Sequence, residues 1–190
     1  MKNHINIRNI EASDIPKLLD FSDKWIGKNY FSEPQLLDLI DRGKLNGLDA
    51  SLVAVAVDSD QIIAMRLTLA PGKWTKVKSL KVNADLWNID IDAAGYFKSL
   101  FIDESYQGDG LGKLLSSKSL EILKEMGAKG VVCHSWMESP NNSSQRYLEK
   151  MDFKTVSIHK KFWYLVDYDC THCGKDTKCL CSAVEMIKYL

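Results

Sequence analysis

The chain has 190 residues, and its 25 lysines and arginines balance 25 aspartates and glutamates. A chain of this length can bury a sizeable core, while zero formal net charge gives no overall field to draw it to nucleic acid or an anionic membrane. No run approaches the roughly 18 apolar residues that span a bilayer, and the N-terminus leads directly into a strand pattern. We therefore expect a single domain over residues 1–190, a cytoplasmic location and no nucleic-acid or membrane partner.

The first seventy residues predict two helices between strands. Residues 3–10 alternate apolar and polar side chains as a half-buried strand does, and Ser13 then caps a predicted amphipathic helix. Ser32 and Gln35 form a capping-box pattern before a second helix, which ends at Gly43. Residues 51–57 and 61–69 are apolar, β-branched runs separated by Asp-Ser-Asp, so they predict a β-hairpin.

The rest of the chain alternates between strand and helix patterns. Residues 96–102 are apolar and β-rich, and the next apolar residues recur at helical spacing until Gly127 supplies a stop. Residues 130–136 then predict a strand and residues 143–150 a helix. The last two predicted strands are residues 153–166 and 183–189.

Three alternating glycines, Gly108, Gly110 and Gly112, lie between the strand predicted at residues 96–102 and the helix predicted to end at Gly127. A helix N-terminus carries unpaired backbone N–H groups and the positive end of the helix dipole, so it binds anions without a basic side chain. Glycine lets a phosphate approach the backbone closely. The spacing fits neither the dinucleotide fingerprint nor the Walker loop. It predicts a phosphate cradle, although a tight strand-to-helix turn would look the same.

Read at Gln107, Gly110 and Gly112, the pattern Q-x-x-G-x-G resembles the acetyl-CoA pyrophosphate motif of the GNAT acetyltransferase superfamily. The β-α-α-β-β-β-α-β-α-β-β element order is similar to that superfamily over nearly all 190 residues. The resemblance implies an α/β (α+β) fold whose mixed, mostly antiparallel sheet has about seven strands and is flanked by about four helices.

A second match, residues 141–153, looks like the family pattern N-x-x-[AS]-x-x-x-[YL]-E-K-x-G-F. It departs from the pattern at two places. Leu148 occupies the position of the family's frequent catalytic tyrosine, with Tyr147 one place earlier. Asp152 replaces the usual glycine, which suggests a left-handed turn that Asp tolerates less easily than Gly.

The resemblance implies transfer of an acetyl group from acetyl-CoA, as co-substrate, to a primary amine. Backbone N–H groups of the strand after residue 99 would stabilise the thioester oxygen and align the pantetheine arm, and an asparagine before the fourth helix would bond that arm. The implied cofactor-binding residues are Leu100, Phe101, Ile102, Gln107, Gly108, Asp109, Gly110, Leu111, Gly112, Lys113, Asn141 and Asn142.

Acetylation of an amine requires a base for the amine proton and an acid for the departing thiolate. Glu104 and Glu138 are the candidate bases, because both lie near the predicted C-terminal ends of the strands that flank the cofactor. Tyr147 is the candidate acid. Each acid could instead be a solvated strand-end residue, and Tyr147 could be a packing aromatic.

Four of the five cysteines lie within twelve residues, in the spacing C-x-x-C-x-x-x-x-x-C-x-C. Two close pairs of thiolates separated by a turn can surround one Zn²⁺ tetrahedrally and leave no open coordination position, so a structural zinc is predicted. Free thiols and disulfides are the alternatives. We expect this knuckle to be a Cys-rich hairpin inserted at residues 169–182, with ligands Cys170, Cys173, Cys179 and Cys181. Cys133 is expected to be a small buried hydrophobe.

The acceptor is not identified by the sequence. The long segment 71–95 carries two tryptophans and three aspartates, which could form an aromatic, acidic wall for a cationic amine or could equally belong to the core: Trp74, Trp87, Asp85, Asp90 and Asp92. A small amine, a protein N-terminus and a lysine side chain all stay open, as does a homodimer. Two other functions stay in view: an acyl-CoA sensor without turnover, and a zinc-knuckle interaction protein.

Overall fold

The computed structural model describes residues 4–75 and 80–190 and contains one large sheet with helices on both faces. The four α-helices are α1 (Ile15–Trp25), α2 (Glu33–Arg42), α3 (Leu111–Glu125) and α4 (Ser143–Glu149). The strands are β1 (Ile5–Asn9), β2 (Lys44–Leu45), β3 (Leu48–Asp49), β4 (Leu52–Ala56), β5 (Gln61–Leu69), β6 (Ala94–Ile102), β7 (Gly130–Trp136), β8 (Lys154–His159) and β9 (Ala183–Tyr189).

Seven of these strands form the sheet in the order β1-β4-β5-β6-β7-β9-β8, and β2 and β3 form a separate ribbon. Every neighbouring pair in the seven-stranded sheet is antiparallel except β6 and β7, which are parallel. The predicted mixed, mostly antiparallel sheet with about four helices is therefore confirmed. The hairpin predicted at residues 51–69 is the pair β4 and β5.

The core is divided between the two faces of the sheet. Helices α1 and α2 cover one face, where fully buried Leu18 and Leu36 pack with β5 residues such as Met65. Helices α3 and α4 cover the other face, where Leu115 and Leu123 lie over the same sheet. Burying one such side chain contributes about 1.5–3 kcal/mol, so each helix is held chiefly by its apolar face.

Strands β6 and β7 pair only at their beginnings. Their parallel ladder runs from Ala94 opposite Gly130 to Phe97 opposite Cys133. Beyond that point β6 continues along β5, and β7 continues along β9. A bulge in β6 leaves Lys98 without an opposite residue, because Leu67 pairs with Ser99 and Thr68 with Phe97. The two strands consequently diverge, and a wedge opens between them in the middle of the sheet.

Most predicted helix boundaries are confirmed, but the first cap was wrong. The Ser32–Gln35 capping box is present before α2, and Asp152 does lie in the left-handed region, at φ 65°. Ser13, in contrast, caps nothing and lies inside a short 3₁₀ turn. The Asp14 carboxylate takes its place, because it accepts the Glu11 N–H at 2.9 Å and forms a two-point ion pair with Arg8.

Two other expectations need correction. The strand predicted over residues 153–166 ends at His159, because the chain turns at Lys161, which has a φ of 52°. Within the segment 71–95, whose residues 76–79 lie outside the described part of the chain, the two tryptophans and three aspartates considered for an acceptor wall do not line the cavity described below. Trp74 and Trp87 are buried in the core beside Tyr96, and Trp74 donates its indole N–H to the Ala94 carbonyl at 2.7 Å.

Candidate active site

A cavity of about 1030 Å³ occupies the wedge between β6 and β7. Its lining comes from both faces of the sheet: the glycine motif and α4 on one side, and the loop after α1 with the cysteine-rich segment on the other. Among the described residues, five cationic side chains border it (Arg66, Lys98, Lys113, Arg146 and Lys150), against one carboxylate, that of Glu104. The cavity therefore suits a long ligand that carries negative charge.

The glycine motif forms a turn whose backbone leads into α3. Gly108 and Gly110 have φ values of 85° and 81°, a region that favours glycine, and no atom lies within 4 Å of a Cβ built at either position. The first bond of α3 runs from the Leu114 N–H to the Gly110 carbonyl at 3.0 Å. The N–H groups of the three preceding residues, 111–113, therefore have no intrahelical partner and can hold an anion.

The other motif residues have separate structural roles. A Cβ at Gly112 would lie 2.8 Å from Ile102 Cδ1, so this glycine permits the close packing of α3 on β6. Gln107 donates through Nε2 to the Ile102 carbonyl at 2.9 Å and ties the loop to the end of β6. Lys113 is exposed and borders the cavity together with buried Leu111. Asp109 is the one predicted motif residue that does not line it.

Two of the three predicted strand residues present their backbone to the wedge. The Asp103 N–H donates to the Ile63 carbonyl of β5 at 2.8 Å. Because successive residues of a strand alternate between its two edges, the N–H groups of Leu100 and Ile102 face the wedge, and that of Phe101 faces β5. All three side chains border the cavity, but only Leu100 and Ile102 offer a free-edge donor.

The loop before α4 brings Asn141 to the cavity and leaves Asn142 outside its lining. Both asparagines have left-handed backbones, with φ values of 53° and 52°. The Asn142 side chain contacts Gln145 Oε1 at 3.4 Å and makes no capping bond to the helix.

Tyr147 borders the cavity, but its hydroxyl points into the first turns of α3. It lies 2.6 Å from Ser116 Oγ and 2.9 Å from the Gly112 carbonyl. Ser116 Oγ in turn accepts from the buried Arg66 guanidinium at 2.5 and 3.1 Å. All of these contacts are satisfied if Arg66 donates to Ser116 Oγ, the Ser116 hydroxyl donates to the Tyr147 oxygen, and the Tyr147 hydroxyl donates to the Gly112 carbonyl. Burial lowers the pKa of Arg66, which also stacks over the Phe97 ring at 4.1 Å.

The two predicted bases lie in different surroundings. Glu104 is exposed in the turn after β6 and lines the cavity. The structure does not bring Glu138 to the cavity, because both of its oxygens accept the Ser182 N–H, at 2.9 and 3.0 Å. Glu138 thus anchors the end of the cysteine-rich segment, and its role as base stays a prediction without support from the geometry.

The residue pair best placed for proton transfer was missed by sequence reasoning. The Tyr96 hydroxyl lies 2.7 Å from His134 Nδ1, and both side chains line the cavity beside the point where β6 and β7 separate. His134 Nε2 is buried and has no hydrogen-bond partner among the described residues. Burial and then the nearby His159 lower the pKa of His134 to about 3, and the Lys81 carbonyl acts weakly in the opposite direction. His134 is therefore neutral near pH 7.

The buried carboxylate of Glu185 lies close to His134. Nitrogen atoms of His134 and His159 and an oxygen of fully buried Glu185 all lie within 4.8 Å of one another. Glu185 already accepts hydrogen bonds from four groups: the Asn83 N–H, Trp87 Nε1, Ser157 Oγ and, at 2.6 Å, His159 Nε2. With its oxygens so occupied, Glu185 has no lone pair directed at a metal.

Residues 24–153 match the acetyltransferase (GNAT) family, in agreement with the glycine cradle and the wedge between β6 and β7. The chain belongs to this family. A ribosomal protein bS18-alanine N-acetyltransferase of Haemophilus influenzae is 38% identical to this GNAT protein over 74 residues, which cover 38% of the chain. That match covers 47% of the relative, so the chain spans about half the length of the curated protein that it matches.

Several solved structures share the fold of this GNAT chain. Arabidopsis thaliana NAA60 in complex with acetyl-CoA has a TM-score of 0.69 at 15% identity, over 98% of this chain and 99% of that one. The NatC complex bound to Gag peptide and CoA has a TM-score of 0.70 at 12% identity, over 98% and 99% of the two chains. The S18-alanine N-acetyltransferase of Escherichia coli has a TM-score of 0.63 at 14% identity, over 98% and 94%. At these identities the likeness concerns the fold alone.

One side of this GNAT cavity has an aromatic wall. The cavity here is bordered by side chains from the loop after α1, the end of β7 and the segment between β8 and β9: Trp25, Ile26, Tyr30, Trp136, Phe162, Trp163 and Tyr168. Trp25 Nε1, like His134 Nε2, is buried and lacks a hydrogen-bond partner among the described residues. Lys98 donates to the Tyr30 hydroxyl at 3.1 Å, which places a cation and no carboxylate at this wall.

The four clustered cysteines converge on one point. Their sulfurs lie 3.6 Å apart between Cys173 and Cys181, 3.6 Å between Cys170 and Cys179, and 4.0 Å between Cys170 and Cys181. Four sulfurs at about 2.3 Å from one tetrahedral Zn²⁺ would lie about 3.8 Å apart. The Leu180 N–H and the Tyr168 hydroxyl donate to two of the sulfurs, at 3.3 and 3.4 Å. The donor set therefore fits a tetrahedral metal ion.

The remaining cysteine and the membrane expectation are simpler. Cys133 is buried in β7, and burial raises the pKa of its thiol, as expected of a small core residue. No helix within residues 4–75 and 80–190 has the length and apolar character that crossing a bilayer requires. A homodimer and the absence of a nucleic-acid partner stay predictions.

Proposed function

We propose that the protein transfers the acetyl group of acetyl-CoA to the α-amine of a peptide or protein N-terminus. The observation that carries the proposal is the pair of side chains His134 and Trp25, which line the cavity and each have a buried ring nitrogen, Nε2 and Nε1, without a hydrogen-bond partner among the described residues. An unpaired buried polar group costs about 1–3 kcal/mol, so such groups mark places where a ligand completes the bonding. His134 Nε2 can accept a proton, and Trp25 Nε1 can donate to a carbonyl. The N-terminal residue of a peptide offers both partners, an amine and a carbonyl.

The cofactor side fits acetyl-CoA, which supplies the activated acetyl thioester. The N–H groups of residues 111–113 would hold its pyrophosphate, with Lys113, Arg146 and Lys150 adding positive charge. The free-edge N–H groups of Leu100 and Ile102 would align the pantetheine arm and stabilise the thioester oxygen. Crystal structures of Arabidopsis thaliana NAA60 with acetyl-CoA and of the NatC complex with CoA support this use of the fold.

His134 is the proposed base. With its ring proton on Nδ1 and donated to the Tyr96 oxygen, the lone pair of Nε2 is free to take a proton from the amine. Glu185, buried within 4.8 Å, stabilises the positive charge that His134 then acquires. The depressed pKa keeps His134 unprotonated near pH 7, so its lone pair is available when the attacking amine becomes acidic in the transition state. General bases contribute on the order of 10²- to 10⁴-fold to the rate, and the gain becomes smaller as the pKa of the base falls below the operating pH.

The aromatic wall defines the class of acceptor. A polyamine or an aminoglycoside carries several positive charges and would need carboxylates, whereas this wall offers Lys98 and aromatic rings. A peptide N-terminus with an uncharged first side chain suits it better. The named activities of the relatives agree, since the bS18 and S18 enzymes are alanine N-acetyltransferases and Arabidopsis thaliana Naa50 was solved with the bisubstrate analogue CoA-Ac-MVNAL.

An acyl-CoA sensor is the alternative that specific residues favour. Leu148 is buried where the family pattern expects a tyrosine, and the Tyr147 hydroxyl is engaged with α3. A sensor would bind acetyl-CoA and release no CoA with any amine, so turnover separates the two functions.

We also propose that Cys170, Cys173, Cys179 and Cys181 hold one structural Zn²⁺ in a cytoplasmic protein, where thiols stay reduced. The sulfur spacing and the donors to Cys173 and Cys179 support it. Elemental analysis of the purified chain should give one zinc per molecule. A Cys173→Ser variant should lose that zinc, and Cys133→Ala, which removes the distant thiol, should retain it.

Binding of acetyl-CoA is tested by thermal shift, with ATP and NADH as controls. A ligand at 100 times its dissociation constant adds about 2.7 kcal/mol, which raises the melting temperature of a chain this size by roughly 5–10 °C. A rise with acetyl-CoA and with neither control supports the proposal. An equal rise with ATP would mean that the cradle binds phosphates without selecting CoA.

A further inference from the structure

The cysteine-rich segment closes the acceptor side of the cavity against the loop after α1. The Asp169 N–H donates to the Lys28 carbonyl at 3.3 Å. A Cβ at Gly27 would lie 2.0 Å from the Asp169 carbonyl oxygen, so the two backbones pass each other at a distance that glycine alone permits. The rings of Tyr30 and Tyr168 meet edge to face at 4.9 Å. The position of residues 26–31 is therefore coupled to that of the cysteine-rich segment.

Tyr168 links the sulfur cluster to the aromatic wall. Its hydroxyl donates to Cys179 Sγ at 3.4 Å, and its ring packs on Tyr30. Tyr30 in turn accepts from Lys98 at the bulge of β6. A displacement of Cys179 would thus be transmitted through two aromatic rings to the strand that borders the wedge.

Cys181 is linked to the proposed base. The Phe162 N–H donates to the Cys181 carbonyl at 2.9 Å, and the Phe162 ring stacks on His134 with the centroids 4.2 Å apart. On the other side, the Met137 N–H donates to the Ser182 carbonyl at 3.1 Å, and Glu138 holds the Ser182 N–H. The segment is thereby fixed to residues 137 and 138, which directly follow β7, the strand that carries His134.

Regular secondary structure contributes little to the shape of the segment. Residues 160–182 connect β8 to β9 and contain no helix and none of the strands β1–β9. Their buried cluster consists of Cys170, Cys179 and Cys181 with partly buried neighbours. Ordering such a long connection costs conformational entropy, and a few buried sulfurs do not offset it. A metal ion that crosslinks four positions would offset this entropic cost, because metal-binding free energy appears as folding free energy.

We propose that a Zn²⁺ ion bound by the four cysteines positions the acceptor site, so that acceptor use depends on the metal and acetyl-CoA binding does not. This inference rests on the proposed function, since it assigns residues 160–182 to the acceptor side. The cradle at residues 108–113 borders the cavity from the side of α3 and α4, whereas the sulfur cluster packs with Trp136, Trp163 and Tyr168, so the cradle should keep its geometry without the metal.

The test compares the full chain with zinc, after chelation, and after zinc is added back. Hydrogen exchange of residues 26–31 and 160–168 should become faster on chelation, while that of residues 108–116 should not change. Calorimetry should give the same acetyl-CoA affinity in both forms. For a peptide acceptor, kcat/KM should fall about 10- to 100-fold and recover with zinc, as expected for misplaced positioning groups.

Cys173→Ser should reproduce the chelated state, and Cys133→Ala serves as the thiol control for zinc content. Three results would overturn the inference: no zinc in the purified chain, unchanged exchange at residues 26–31 after zinc loss, or loss of acetyl-CoA binding together with the metal. Failure of the proposed function would look different. A zinc-loaded chain would then acetylate no peptide, while the exchange measurement would still report whether the metal orders the acceptor wall.

Discussion

The Tyr96 hydroxyl lies 2.7 Å from Nδ1 of His134, where β6 and β7 make their last pair before the wedge opens. One residue comes from each strand, and the two are 38 positions apart in the chain. The divergence of the strands creates the cavity, and the same divergence places an imidazole and a phenol at its inner end. The divergence of β6 and β7 thus produces both the cavity and the position of the proposed base.

His134→Gln tests the base directly. Glutamine keeps a polar side chain but cannot take a proton, so kcat should fall by about 10²- to 10⁴-fold. The cradle is untouched, and acetyl-CoA affinity measured by calorimetry should therefore be retained. The companion variant Tyr96→Phe leaves the imidazole in place and should reduce kcat less, with a shifted pH profile. Wild-type kcat in His134→Gln would return the role of base to Glu104.

The pH dependence of stability follows from the same histidine. His134 has a pKa of about 3 in the folded chain and about 6.5 when unfolded, so the unfolded chain binds more protons between those values. Above pH 6.5 both states are neutral, and as the pH falls toward 3 the free energy of unfolding should decrease, with a slope approaching about 1.4 kcal/mol per pH unit for this one group.

Urea titrations at pH 7, 6, 5 and 4 would measure this dependence. His134→Gln should remove that part of the slope, while His4→Gln, at an exposed position, should leave it unchanged. Parallel curves for the wild type and His134→Gln would show that burial does not depress the pKa of His134.

Two glycines of the motif should respond to substitution in different ways. Gly110→Leu adds a side chain where nothing lies within 4 Å but φ is 81°, so it should cost about 1–2 kcal/mol of stability and block the phosphate. Acetyl-CoA binding should be lost while circular dichroism shows a folded chain. Gly112→Leu meets Ile102 at 2.8 Å and should destabilise α3 itself. Unchanged acetyl-CoA affinity in a folded Gly110→Leu chain would refute the cradle.

Glu138→Gln should affect stability rather than chemistry. The carboxylate accepts the Ser182 N–H through both oxygens, and replacing it with a neutral amide weakens that anchor. We expect a loss of about 1–3 kcal/mol, which differential scanning calorimetry would record as a drop of several degrees. Glu121→Gln, at an exposed position on α3, is the matched control. A large fall in kcat with unaltered stability would instead restore Glu138 as the base.

Local signals predicted most helices and strands and the glycine turn before α3, and the family resemblance supplied the arrangement of the sheet. The glycines at 108, 110 and 112 lie within five residues of one another, and the requirement of Gly108 and Gly110 is visible in the sequence because few other residues adopt φ near 80°. The capping box at Ser32 and the hairpin around residues 58–60 are equally local. The cysteine spacing likewise anticipated the convergence of four sulfurs.

The residues around the proposed base are brought together by strand pairings that no local pattern reveals. Tyr96 and His134 look like core residues in two apolar strands, and they meet because β6 and β7 are neighbours. Glu185 and His159 likewise meet through the pairing of β8 with β9. Glu138 follows the end of β7, but its carboxylate accepts the Ser182 N–H and does not reach the cavity. Trp87, a candidate for the acceptor wall, lies in the core, where its indole N–H donates to the Glu185 carboxylate.

The most direct measurement uses one peptide that begins with alanine, contains an internal lysine and is incubated with acetyl-CoA and the zinc-loaded chain. Tandem mass spectrometry locates the acetyl group, and a copy with a blocked N-terminus serves as the control. The proposed function predicts acetylation of the α-amine, none at the lysine and none on the blocked peptide. Acetylation at the lysine alone, or release of no CoA by a chain that binds acetyl-CoA, would contradict it.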